Sequence, residues 1–314
     1  MQKSKLDQFF SIPAAAVLMA VVCNVLWGSA FPFIKLGYRL FAIDSADTAS
    51  ILCFAGVRFM MGAALVWLAG LALNRRPLPM PHGKTLASAC GLGLWQTAAQ
   101  YFFYYSAVAL LTGAMGGILN STQSFMGVIL AHFLYGKADR MTPRKALGCV
   151  LGFGGVLIAT LGNHGGGSAK GMAFMLIASA IFALAGPWNK AVTQHVDSFS
   201  VCVLNLGGLA LAVMGFAMGG GLHPESAAGI PVLLFLAFIS GAGYVIWALL
   251  MKNNPVSRIA VFGLIIPVMN VLLSALLSAL LNGEPLFEWN YLAALLLVCI
   301  GIYLVNRAPQ EKQA

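Results

Sequence analysis

The chain has 314 residues, of which 60% are hydrophobic and only 9% charged. Soluble domains carry roughly 25% charged residues, because their exposed shell has to be polar. The composition therefore excludes an ordinary soluble enzyme, a disordered chain and a nucleic-acid-binding domain, and implies an all-α polytopic membrane protein. The net charge of +9 then needs another explanation than a nucleic-acid patch.

In chain order, apolar segments fall at residues 12–37, 51–73, 86–110, 114–135, 146–162, 171–190, 199–221, 231–251, 259–281 and 290–306, ten in all. A helical span takes about 20 residues, so ten transmembrane helices are predicted. The first is read as a retained span, because its apolar run exceeds that of a signal peptide and more spans follow. Turn signals divide the segments: Asn74-Arg75-Arg76-Pro77, Gly136-Lys137-Ala138-Asp139-Arg140, Gly165-Gly166-Gly167-Ser168, Asn253-Asn254-Pro255 and Gly283-Glu284-Pro285. The thinnest boundary is Leu111-Thr112-Gly113, which is kept because the undivided run is too long for one span. The six cysteines are scattered singly, with no CxxC and no Cys/His cluster. No metal, disulfide framework or cofactor is expected.

The basic residues orient the chain. With the N-terminus in the cytoplasm, that side holds Lys3, Lys5, Arg75, Arg76, Lys84, Lys137, Arg140, Arg144, Lys145, Lys252, Arg258, Arg307 and Lys312. The opposite side holds only Arg39 and Lys170, while Lys35, Arg58 and Lys190 lie within spans. This bias satisfies the positive-inside rule with both termini cytoplasmic. A shift of 155 residues superposes Ala30, Pro32 and Lys35 on Ala185, Pro187 and Lys190. A looser match places Tyr101 and Tyr104 on Tyr244 and Trp247. Five spans per half is an odd number, so the halves enter the membrane from opposite sides, as an inverted repeat. The organisation is a cytoplasmic tail (1–11), a first five-helix repeat (12–162), a Gly-rich linker (163–170), a second repeat (171–306) and a cytoplasmic tail (307–314).

Trp27-Gly28-Ser29-Ala30-Phe31 leads to Lys35 in the first span, and Arg58-Phe59 lies in the second. Gly113-Ala114 and Asn120-Ser121-Thr122-Gln123 follow in the fourth, and Pro267 and Gly283-Glu284 close the second half. With these motifs in this order, the sequence resembles the drug/metabolite transporter superfamily in its ten-helix EamA branch. It departs from the family pattern in three places. Gly136-Lys137 stands where a Glu is usual, Ser124 lies near the position of a usual proline, and Pro267 precedes Glu284 by one helical turn more than expected. The resemblance implies two five-helix bundles around a central cavity and alternating access for a small solute. Known members export amino acids, metabolites or drugs, and relatives carry nucleotide sugars or phosphorylated sugars. The substrate does not transfer with the fold.

By these boundaries none of the acids (Asp7, Asp44, Asp47, Asp139, Asp197, Glu225, Glu284, Glu288, Glu311) lies inside a span. Proton or sodium cycles commonly use an intramembrane carboxylate, so His132 is left as the sole titratable candidate for proton coupling, against a packing role. Arg58 sits about two turns into its span, roughly 10 Å deep. Two readings stand: it neutralises an anionic substrate group or gates the cavity, or it snorkels or caps backbone carbonyls. Lys35 and Lys190 suit snorkelling, and their repeat equivalence suggests a shared structural or gating duty.

Polar stripes are the better site candidates. At α-helical spacing Gln96, Gln100 and Tyr104 share one face, with Tyr101 beside them. Asn120 pairs with Gln123, Tyr244 with Trp247, Asn24 with Trp27, and Asn270 with Ser274. Such faces turn to a cavity or to a neighbouring helix rather than to lipid, and both readings stay open. Pro32, Pro187 and Pro267 are static kinks or gating bends. Gly113-x-x-x-Gly117 and Gly148-x-x-x-Gly152 permit close helix contact within the monomer.

The sequence thus leads to a bacterial inner-membrane exporter or exchanger of small metabolites, such as amino acids or related solutes. The expected partners are a small solute and the bilayer, and the expected assembly a monomer or weak homodimer. A channel-like facilitator or lipid scramblase is the alternative. A membrane-embedded enzyme ranks below both, because no Asp-rich metal motif, HExxH or G-x-S-x-G is present.

Overall fold

Backbone groups in a bilayer have no water to bond, so an apolar chain satisfies them internally as helices. A computed structural model describes residues 5–74, 81–135, 141–161, 168–193, 207–254, 261–282 and 289–306. Every regular element among them is helical, apart from an isolated bridge at Leu111. They are α1 (Lys5–Ser11), α2 (Pro13–Leu40), α3 (Thr48–Asn74), α4 (Gly83–Leu92), a π-helical stretch (Gly93–Ala99), α5 (Gln100–Leu110), α6 (Gly113–Asn120) and α7 (Thr122–Tyr135). There follow α8 (Pro143–Leu161), α9 (Ala169–Thr193), α10 (Gly207–Ala217), α11 (Gly229–Asn253), a 3₁₀ turn (Val261–Leu264), α12 (Ile265–Asn282) and α13 (Trp289–Asn306).

Among the described residues, six helical stretches are long and apolar enough to cross a membrane: Pro13–Leu40, Thr48–Ala72, Ala169–Gly186, Gly229–Leu250, Phe262–Leu281 and Trp289–Asn306. Of the other apolar segments, 86–110 and 114–135 are divided, while the described part of 146–162 falls in one continuous 19-residue helix. Segment 86–110 is split by the π stretch. Segment 114–135 breaks at Ser121, where the Ser121 and Thr122 hydroxyls donate to the Ile118 and Leu119 carbonyls and bend the chain. The bend thus arises at two hydroxyls. α8 opens on Pro143-Arg144-Lys145. In segment 199–221 the described helix is Gly207–Ala217.

Glycines set how closely these helices approach. A Cβ on Gly148 would lie 2.7 Å from the Gly301 carbonyl, and one on Gly301 2.6 Å from that of Gly148. Backbone therefore lies on backbone where α8 meets α13. Gly56 and Gly208 seat α3 on α10, and Gly62 and Gly241 seat α3 on α11. Gly117 receives Asn270 across the α6–α12 contact. Large aliphatic side chains such as Leu68, Val150, Leu157, Val213 and Leu296 are exposed instead of buried. An outward apolar surface of this kind suits lipid and not water.

Two expected loops take definite form. Leu111 and Thr112 are extended, and the Thr112 hydroxyl accepts the Met115 amide to start α6. That two-residue corner is the thin boundary between the third and fourth segments. Residues 5–11, read as a tail, instead form α1. Phe10 is buried with Ala16, Ala20, Leu249 and Leu250, and Asp7 pairs with Lys252 at 3.0 Å. The Asn254 amide donates to the Phe10 carbonyl at 2.9 Å. The core of the linker, the C-terminal tail and the separators at 75–77, 136–140 and 283–285 lie outside the described residues.

Candidate functional site

Aromatic side chains of α2, α3, α5 and α11 form one connected cluster. Trp27 lies 5.8 Å from Tyr244 and 5.4 Å from Trp247, ring centre to centre. Gly243 leaves the space that the Trp27 indole fills. The Tyr244 and Tyr101 hydroxyls are 3.4 Å apart, joining α11 to α5. Tyr101 continues to Phe59 at 4.4 Å and to Tyr104 and Tyr105 at 5.5 and 5.9 Å. Phe31 of α2 closes the group against Tyr104 at 6.2 Å. Trp27, Tyr101, Tyr244 and Trp247, which the sequence singled out separately, therefore share one place.

Arg58 lies at the inner edge of this cluster and is 4% exposed. It does not snorkel. Its Nε donates to the Leu236 carbonyl of α11 at 3.1 Å, and its Nη1 donates to the Tyr105 hydroxyl. The guanidinium also lies over the Phe59 and Tyr105 rings, 5.3 and 5.8 Å from their centres. Tyr38 of α2 donates to the Tyr105 carbonyl at 3.1 Å. Sequence reasoning marked Arg58 but missed Tyr105 and Tyr38, although the pair Tyr104-Tyr105 offered a hydroxyl on either side of the expected stripe.

Amides approach the cluster from two helices. Asn24 is fully buried one turn before Trp27; its Nδ2 donates to the Ala20 carbonyl at 2.7 Å, and its Oδ1 is unpartnered. Gln100 is 4% exposed one turn before Tyr104, and its Oε1 is also unpartnered. Buried polar atoms are nearly always bonded, so these two oxygens mark unfilled acceptor positions. Gln96 is buried, but it lies inside the π stretch. The α-helical spacing expected from Gln96 to Gln100 is therefore not the real register, whereas Gln100 and Tyr104 keep it within α5. Such π turns recur at functional sites.

The remaining candidates lie elsewhere. Asn120 and Gln123 flank the break at Ser121, which interrupts the helical face assumed for them. Asn270 is buried at the α6–α12 contact with Ser274 3.5 Å away. His132 lies in the last turn of α7 and accepts the Met141 amide at its Nδ1. Lys35 donates to the Leu111 carbonyl and so holds the end of α5. Pro32 is buried inside α2, and Pro267 falls in the first turn of α12, where a missing N–H leaves no bond broken. Pro187 and Lys190 lie on α9, but their side chains are outside the described residues.

Comparison with known proteins accounts for most of the chain. The EamA-like transporter family matches residues 14–161 and again 169–307. The chain belongs to the EamA-like transporter family. The uncharacterized transporter YvbV of Bacillus subtilis (strain 168) is 26% identical over 306 residues, covering 95% of this chain and 93% of that protein. An uncharacterized transporter of Archaeoglobus fulgidus is 24% identical over 294 residues, covering 90% and 95%. A solved crystal structure at 19% identity superposes with a TM-score of 0.66 over 96% of this chain and 99% of that one, a likeness of fold alone. The EamA match and the apolar helices make this a multi-pass membrane transporter.

Proposed function

We propose that this EamA protein moves small metabolites, such as amino acids or related solutes, by alternating access, as an exporter or exchanger in a bacterial inner membrane. Ten spans in two inverted five-helix repeats carry it, with both termini cytoplasmic, as a monomer or weak homodimer. The helix packing supports the repeat. Numbering the ten segments in order, α3 packs on α10 and α8 on α13, each pair five segments apart. The contact of α2 with α11 has its counterpart in that of α5 with α9, and α2 with α12 in α7 with α9.

One observation carries the reading: the helices that supply Trp27 and Tyr101 to the Trp27–Tyr101–Tyr244–Trp247 cluster also carry the buried, unpartnered oxygens of Asn24 and Gln100. Helices of both proposed halves contribute to it. The buried acceptors favour a solute with N–H or O–H donors, and the rings favour one with an apolar part. The test is a thermal-shift panel of neutral, zwitterionic and anionic metabolites on the purified protein, followed by flux in proteoliposomes. Stabilisation and saturable flux of one solute class are expected. Translocation of labelled lipid without flux of any metabolite supports the scramblase instead, and non-saturating flux supports a channel.

A further inference from the structure

An arginine cannot shed its proton inside a protein, so Arg58 is a permanent cation at 4% exposure. No carboxylate faces it among the described residues. Its Nε and Nη1 are engaged with Leu236 and Tyr105. A guanidinium has five N–H donors, and the Nη2 edge takes no partner among the described residues. The Phe59 and Tyr105 rings offset only part of the lost hydration. A buried cation without a countercharge is costly, and these two hydrogen bonds and two rings compensate it only in part.

We propose that the transported solute carries a carboxylate that docks on the Nη2 edge of Arg58 and neutralises it during each crossing. This rests on the transport site proposed above and adds the charged group that the site selects. A planar carboxylate matches the guanidinium fork. A phosphate carries nearly two charges near neutral pH and requires a second cation. Lys35 does not provide one, since its amine is turned onto the Leu111 carbonyl.

A kinetic consequence follows from the charge. The loaded protein reorients with Arg58 paired to a carboxylate, whereas the empty protein reorients with that charge held only by Leu236, Tyr105 and the two rings. The empty return is therefore the slow step, and exchange of one carboxylate for another outpaces net transport.

The experiment compares small carboxylates, among them phenylalanine and benzoate, with their primary amides on the full-length protein. Thermal stabilisation is read in detergent and counterflow in proteoliposomes. Loss of the charge-assisted pair weakens binding of each amide by roughly tenfold or more. Arg58→Gln abolishes the preference for acid over amide, and Arg58→Lys keeps part of it. Because Arg58 also ties α3 to α11, its variants can unfold, but the acid–amide comparison on the unaltered protein needs no variant. Unlabelled carboxylate on the far side accelerates efflux of the labelled one several-fold. Equal binding of acids and amides, or no binding of any acid, overturns the carboxylate assignment. Equal efflux with and without a far-side carboxylate overturns the exchange consequence. Flux of amides alone sinks this inference and leaves the transporter standing; absence of flux for every solute sinks both.

Discussion

Replacing Tyr105 by Phe removes one oxygen from the interior and leaves Arg58 without its side-chain acceptor. A buried donor that loses its partner costs about 1–3 kcal/mol, so Tyr105→Phe is expected to lower Tm measurably. Tyr104→Phe serves as the control, since the Tyr104 hydroxyl takes no partner among the described residues. Gln100→Leu tests the opposite case. Its Oε1 is already unpartnered, so the substitution is expected to leave the unliganded Tm unchanged or higher while it abolishes solute-induced stabilisation. At this scale the sequence was legible wherever a residue contradicted its surroundings. Arg58 stands out in an apolar run, and Gln100 in an aromatic one. Tyr105 blends with its neighbours, and its significance comes from an arginine 47 positions away. No local pattern encodes that distance.

Helix ends and crossings are where element-scale changes act. Asp47 precedes α3, and its carboxylate accepts the Ser50 amide at 3.0 Å. Hydrogen bonds from the Ser50 side chain and backbone hold the Asp47 carboxyl below its ordinary value. A depressed folded-state pKa adds stability that is present above the unfolded carboxyl's pKa and lost as pH falls through the folded value. Asp47→Asn is therefore expected to flatten the acid limb of the Tm-against-pH curve, most visibly just below the ordinary aspartate range. At the α8–α13 crossing, Gly301→Val pushes a side chain onto the Gly148 carbonyl. Overpacking of this kind costs about 1–3 kcal/mol, to be read as a lower Tm with Gly154→Val as control, where a Cβ meets nothing within 4 Å. Apolar runs made most helices readable. The π stretch at Gly93–Ala99 and the break at Ser121 were not, because both redirect the backbone without altering the hydrophobic pattern.

At the scale of the molecule, the number of crossings is open to a direct test. Ten spans place the end of α8 outside the cell after five crossings, whereas the six stretches that qualify by length and composition place it inside after two. A reporter fused after Leu161 is expected to be extracytoplasmic, and one at the C-terminus cytoplasmic; a cytoplasmic reporter at Leu161 rejects the ten-span arrangement. The proposed repeat was suggested by Ala, Pro and Lys recurring inside apolar runs, whereas the choice of packing partners was not legible, since crossings such as α8–α13 and α3–α10 depend on glycines meeting distant backbone. One contact also bears on how the chain is made. Asp7 is bound to Lys252 across 245 positions, so α1, which already meets Ala16 and Ala20 of α2, completes its docking only once the ribosome has delivered α11. The α1–α11 contact is thus made late in synthesis, although α1 itself is made well before α11.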